Sequence, residues 1–143
     1  MNSPVTNRLR SLLARSLPLV QQHKTTLVER IEKSLAVAES PDEPFGQAEI
    51  AAMMLVELLL EQARGLVESG AFAPLADIAE EHRALGITGR HYSRFGDILV
   101  PILRDLLGPI VPREVAAAWC DLFWTVVRAA QEVEPAYVRL EAE

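Results

Sequence analysis

The segment QAEIAAMMLVELLLEQARGLVE, residues 47–68, constrains the fold most. Wound as a helix, its apolar residues reach far around the axis rather than forming one stripe. Such a helix has to be covered on more than one side. Glu49, Glu57, Glu61 and Arg64 interrupt it, and no apolar run in the chain approaches the ~18–20 residues of a membrane span. Other parts of the same chain therefore have to supply the cover.

Helices are what the rest of the chain offers. No segment alternates with period two for long, so no strand is expected. A first helix is expected over residues 5–17, with Leu9, Leu12, Leu13, Ser16 and Leu17 on one face, stopping near Pro18. A second is expected over 19–39, ended by SPDEPFG, whose prolines and glycine cannot continue it. After the apolar helix, SGAFAP breaks the chain, and Pro74 suits the first turn of the next helix. That helix ends at Gly86, a left-handed cap position. Another starts near Arg90, striped by Tyr92, Phe95, Leu99, Ile102, Leu103 and Leu106, with a kink expected at Pro101. The last spans 112–140, striped by Trp119, Leu122, Phe123, Val126, Ala130, Val133 and Tyr137. These six or seven helices form one all-α domain over residues 1–143, a length that supports a real core.

Charge and cysteine content narrow the function. Fourteen basic and 20 acidic residues give a net charge of −6, which argues against nucleic-acid binding. Arg8, Arg10, Arg15 and Lys24 make the amino terminus basic, superficially like a transit peptide, yet its leucine stripe reads as an ordinary first helix. Cys120 is the only cysteine, so no internal disulfide forms, which fits a reducing, cytoplasmic setting. No phosphate-binding glycine loop, Cys-x-x-Cys pair or Gly-x-Ser-x-Gly elbow is present.

One residue sits oddly. In LADIAEEHRALGITGRHYSRFGDIL, residues 75–99, Leu75, Ile78, Ala79, His82 and Leu85 share one helical face. Asp77, Glu80, Glu81 and Arg83 fall elsewhere. His82 is thus aimed inward, where an imidazole needs a partner. Read alone, the face fits either a core histidine bonded to a backbone carbonyl or a metal ligand.

Residues 72–134 resemble the bacterial globins, in particular single-domain and flavohaemoglobin-type globin domains. LADIAEEHRALGI is similar to the family's proximal helix, with His82 at the iron-binding position. HYSRFGDILVPIL follows at the family's spacing, with Tyr92 ten residues after the histidine. EVAAAWCDLFWTVVRAAQEVE is similar to the final helix, with Trp119 at its family position and Glu134 where these globins place a glutamate. Upstream, SLPLVQQH resembles the first helix and the turn into the second. The resemblance implies a globin fold of six to eight helices around a haem pocket, with haem b as the cofactor. It makes His82 the iron ligand, with Tyr92 and Glu134 in a hydrogen-bonded network behind it.

The distal side departs from the family pattern. Flavohaemoglobin-type globins usually place a tyrosine on the second helix, over the bound gas. Here LVERIEKSL puts Ile31 or Glu32 at that position, and both tyrosines lie downstream of His82. His23 falls too early on the second helix to cover iron. Phe45 is the candidate for the family's haem-clamping phenylalanine. Gln47, Glu49, Ile50, Met53 and Met54 are candidates to approach the distal face, the methionine pair being either core filling or an axial thioether. Arg83, Arg90 and His91 are placed near the haem propionates or are plain surface cations.

The expected activity is reversible binding of a diatomic gas, O2, NO or CO, in gas binding or sensing rather than catalysis. Without the distal tyrosine, O2 is expected to be held weakly and CO or NO favoured. No flavin reductase domain is expected after the last helix, so nitric oxide dioxygenation is expected to need an external reductase as partner. The rival expectation is a haemless globin-fold interaction or signalling module, working through a partner or a homodimer. No nucleic-acid or membrane partner is expected.

Overall fold

The computed structural model describes residues 4–37, 48–72, 75–87, 89–108 and 112–133. They form six helices and, among the described residues, no strand: α1 (Pro4–Gln22), α2 (Lys24–Val37), α3 (Ala48–Ser69), α4 (Ala76–Ala84), α5 (Gly89–Leu107) and α6 (Arg113–Val133). The all-α architecture is consistent with the globin fold.

Helix α3 lies at the centre. It packs against α1, α2, α5 and α6, which explains why its apolar residues could not be confined to one stripe. Ala51, Ala52, Leu55, Val56, Leu59, Ala63 and Leu66 are all buried along it. Helix α2 also packs on α5, α5 on α6, and α1 on α6, closing the cover around one core. Among the described residues no helix is long and apolar enough to cross a membrane.

The first helix is longer than its sequence suggests. Rather than stopping near Pro18, α1 runs to Gln22 with Pro18 inside it and exposed. The proline removes one hydrogen bond and strains one turn, a penalty of about 3 kcal/mol. Leu13, Leu17 and Val20 form one buried face across that point. At roughly 1.5–3 kcal/mol for each buried aliphatic side chain, keeping that face continuous outweighs the proline. The break falls instead at His23, whose Nδ1–H donates to the Leu19 carbonyl at 2.9 Å, and α2 begins one residue later.

Two polar links hold α1 in place. The buried indole N–H of Trp119 donates to Ser16 Oγ at 2.8 Å, and Ser16 in turn donates to the Leu12 carbonyl at 3.2 Å. This satisfies the one hydroxyl on the apolar stripe of α1. Arg10 donates through Nε and Nη2 to the Val67 carbonyl, at 3.1 and 2.8 Å, capping the carboxyl end of α3. Surface ion pairs join Arg8 to Glu114, Lys24 to Glu57 and Arg30 to Asp105.

In α5, as the stripe requires, Phe95, Leu99, Ile102 and Leu103 are buried. Pro101 lies inside the helix and is exposed, so its ring points away from the core. The final helix is described only to Val133, so the expected continuation to residue 140 lies outside the described residues.

Candidate functional site

Helix α4 delivers the inward histidine. Leu75 and His82 are buried and Ile78 half-buried, on the face the sequence pattern indicates, and His82 is 1% exposed. The helix ends in a tight reversal. Gly86 adopts φ 83°, a left-handed conformation that a side chain disfavours. Its N–H donates to the Arg83 carbonyl at 2.9 Å, and the N–H of Ile87 donates to the His82 carbonyl at 2.9 Å. This paired bonding is a Schellman motif. Ile87, buried after the turn, pins the start of the segment leading into α5.

Helix α5 then brings Tyr92 to His82. The imidazole Nδ1 lies 2.8 Å from the phenol Oη, and the two rings stack with centroids 6.0 Å apart and planes 26° from parallel. Tyr92 is half-buried and rests on Phe123 of α6 at 6.4 Å. Phe123 is wedged in turn against Phe95 at 4.7 Å. The histidine is thus positioned by three helices: its own, α5 through the hydrogen bond, and α6 through the ring beneath Tyr92.

Burial sets the protonation of the pair. Desolvation lowers the His82 pKa below its ordinary 6.5, with Glu81 pulling weakly the other way. Desolvation pushes the Tyr92 pKa up to about 12, opposed by the nearby Arg83 charge. At neutral pH the site therefore holds a neutral imidazole and a neutral phenol. With its proton on Nδ1, the imidazole donates to Tyr92 Oη, and Nε2 carries the lone pair. That is the form in which histidine ligates a metal.

The donor set fits a haem better than a bare ion. Among the described residues, no group of three or more His, Cys, Asp or Glu side chains is arranged to hold a metal. One buried imidazole suffices only where a macrocycle supplies the other equatorial ligands, as in haem.

The remaining candidates are spread out. Ile31 is fully buried on α2, whereas Glu32 beside it is half-buried. Met53 is 44% exposed on α3, so core filling describes it poorly; Met54 is half-buried and packs against the core. Phe45, Gln47 and Glu134 lie outside the described residues. His91, grouped above with surface cations, is instead buried at 2% exposure. It stands one and two turns ahead of Phe95 and Leu99 on the same stripe, a periodicity that extends the buried face of α5 to include it. Gln62, fully buried on α3, is a second polar core residue that the sequence reading passed over. Its signal is a lone amide among Leu55, Leu59 and Leu66 at helical spacing.

The all-helical architecture is consistent with a globin-like protein. Comparison with known proteins agrees at that level. The chain is 25% identical over 129 residues to a flavohemoprotein of Xylella fastidiosa, covering 87% of this chain and 32% of the relative. A flavohemoprotein of Chromobacterium violaceum is 27% identical over 128 residues, covering 83% and 31%. The chain thus spans about a third of the length of the curated relatives it matches. No family model matches the chain, and no solved structure does.

Proposed function

We propose that this chain is a haem b globin that binds a diatomic gas reversibly, with Nε2 of His82 as the protein ligand to iron. The observation that carries this reading is the buried His82–Tyr92 pair: an imidazole kept neutral by burial, its Nδ1 held at 2.8 Å by a phenol oxygen. Haem held by His82 would supply the iron centre that takes up the gas.

The residues of the chain set the character of that centre. Tyr92 accepts a hydrogen bond from Nδ1–H, fixes the tautomer and the ring plane, and makes Nε2 a stronger donor. The family resemblance adds Glu134 to the same network. Tyr92 is the only tyrosine among the described residues, and it is committed to the histidine. On α2, the buried Ile31 side chain carries no hydrogen-bond donor. O2 therefore lacks a partner from that position and is held weakly, while CO and NO, which depend less on such a donor, are favoured.

The test is a series of ultraviolet–visible spectra: ferric, ferrous and ferrous–CO protein after adding haemin. A sharp Soret band that shifts with CO is expected, together with loss of tight haem binding in His82→Gly and its recovery with added imidazole. Haemin that gives no Soret shift, or that binds His82→Gly as tightly as wild type, would overturn the reading. The first outcome would favour the haemless interaction module instead.

A further inference from the structure

The aromatic contacts beneath Tyr92 do not stop in the core. Phe123, on which Tyr92 rests, meets Trp124 edge to face with centroids 5.3 Å apart. Trp124 is 36% exposed and lines a surface groove of about 490 Å3 between α1 and α6. A contiguous run of rings therefore leads from the buried imidazole to solvent, with ring-centroid steps of 6.0, 6.4 and 5.3 Å.

Trp124 is also held in place. A Cβ on Gly96 would sit 2.3 Å from Trp124 Cζ2, so the indole lies against bare α5 backbone one turn after Tyr92. The other tryptophan differs. Trp119 is fully buried with its N–H donating to Ser16, whereas Trp124 is exposed at the surface with its N–H facing Cys120. Of all side chains, tyrosine and tryptophan are among the easiest to oxidise by one electron. Electron transfer weakens steeply with the gap between donor and acceptor, and touching rings keep each gap short.

We propose that Tyr92, Phe123 and Trp124 form an electron relay from the haem site to the surface, with Trp124 as the terminus that meets one-electron donors in solution. This rests on the haem reading above. With haem held by His82, the oxidising equivalents would come from a peroxide at that site. For each turnover, H2O2 takes up two electrons and two protons and leaves as two waters. Trp124 gives up those electrons one at a time through Phe123 and Tyr92, and each time its indole N–H proton, which faces Cys120, is lost to bulk water. A one-electron donor in the groove then reduces the indolyl radical, which regains its proton from water.

The experiment uses ferric haem-loaded protein, H2O2 and a spin trap, followed by digestion and mass spectrometry. In parallel, ferrocyanide serves as the one-electron donor and its oxidation is followed. The trap adduct is expected on Trp124. In Trp124→Phe the adduct is expected to vanish and ferrocyanide oxidation to fall by about tenfold, with the ferrous–CO spectrum unchanged. An adduct confined to Cys120, Tyr92, Trp119 or the haem overturns the relay, as does an unchanged rate in Trp124→Phe, and both leave the haem reading standing. Absence of a Soret band on adding haemin overturns both together.

Discussion

Replacing Tyr92 with phenylalanine removes one oxygen atom and keeps the ring on Phe123. In the haem-free protein the lost bond spans 2.8 Å to a histidine that is 1% exposed. A hydrogen bond of this kind contributes about 0.5–1.5 kcal/mol net, and a buried N–H left without a partner costs about 1–3 kcal/mol. Tyr92→Phe is therefore expected to lose about 1–3 kcal/mol at pH 7, read as a lower urea midpoint with unchanged slope. The pH dependence gives a second handle. Tyr92 titrates near 12 in the folded chain against an ordinary 10.0. Because the folded value is raised, the stabilisation is complete below pH 10 and is lost as pH rises from 10 towards 12. Two pKa units correspond to about 2.7 kcal/mol at most, and partial exposure of Tyr92 brings this to about 1–2 kcal/mol. The gap between wild type and Tyr92→Phe should thus narrow as pH rises from 10 towards 12. A difference under about 0.5 kcal/mol at pH 7, or one that stays flat across that range, would refute the argument.

Gly86→Ala places a side chain at φ 83° and should destabilise by about 1–2 kcal/mol; loss of amide-exchange protection at Ile87 would locate the damage. Ser16→Ala strands the buried Trp119 N–H and is expected to lower stability by about 1–3 kcal/mol, with a shift in the near-ultraviolet circular dichroism of that indole. In the haem-free protein, stability should fall as pH drops below 6.5, because the unfolded chain takes up a proton that buried His82 resists; urea titrations of wild type and His82→Leu at pH 7 and pH 5 should show a shallower fall in the variant.

Much of this was readable from helical spacing. The inward aim of His82 follows from Leu75 and Ile78 on the same face, and the central place of α3 follows from apolar residues on more than one of its sides. The His82–Tyr92 contact was not legible that way, since it joins two helices across a turn; only the family resemblance paired the two residues. Nor could local sequence show α1 running through Pro18. That outcome depends on burial contributed by α3 and α6, distant in the chain. The Ser16–Trp119 bond, which links residues 103 apart, had no local signal beyond a hydroxyl among leucines. His91 is the opposite case, because its spacing to Phe95 and Leu99 marked it as buried although its polarity suggested the surface.

His82 is anchored twice, once by its main chain and once by its ring. Ile87 grips the carbonyl from just past the turn, while Tyr92 grips the imidazole from the following helix. Any change in the length of the connection at 86–89 pulls these two anchors against each other. Natural variation there would act as a tuning peg, tilting the ring without replacing either of the residues that hold it.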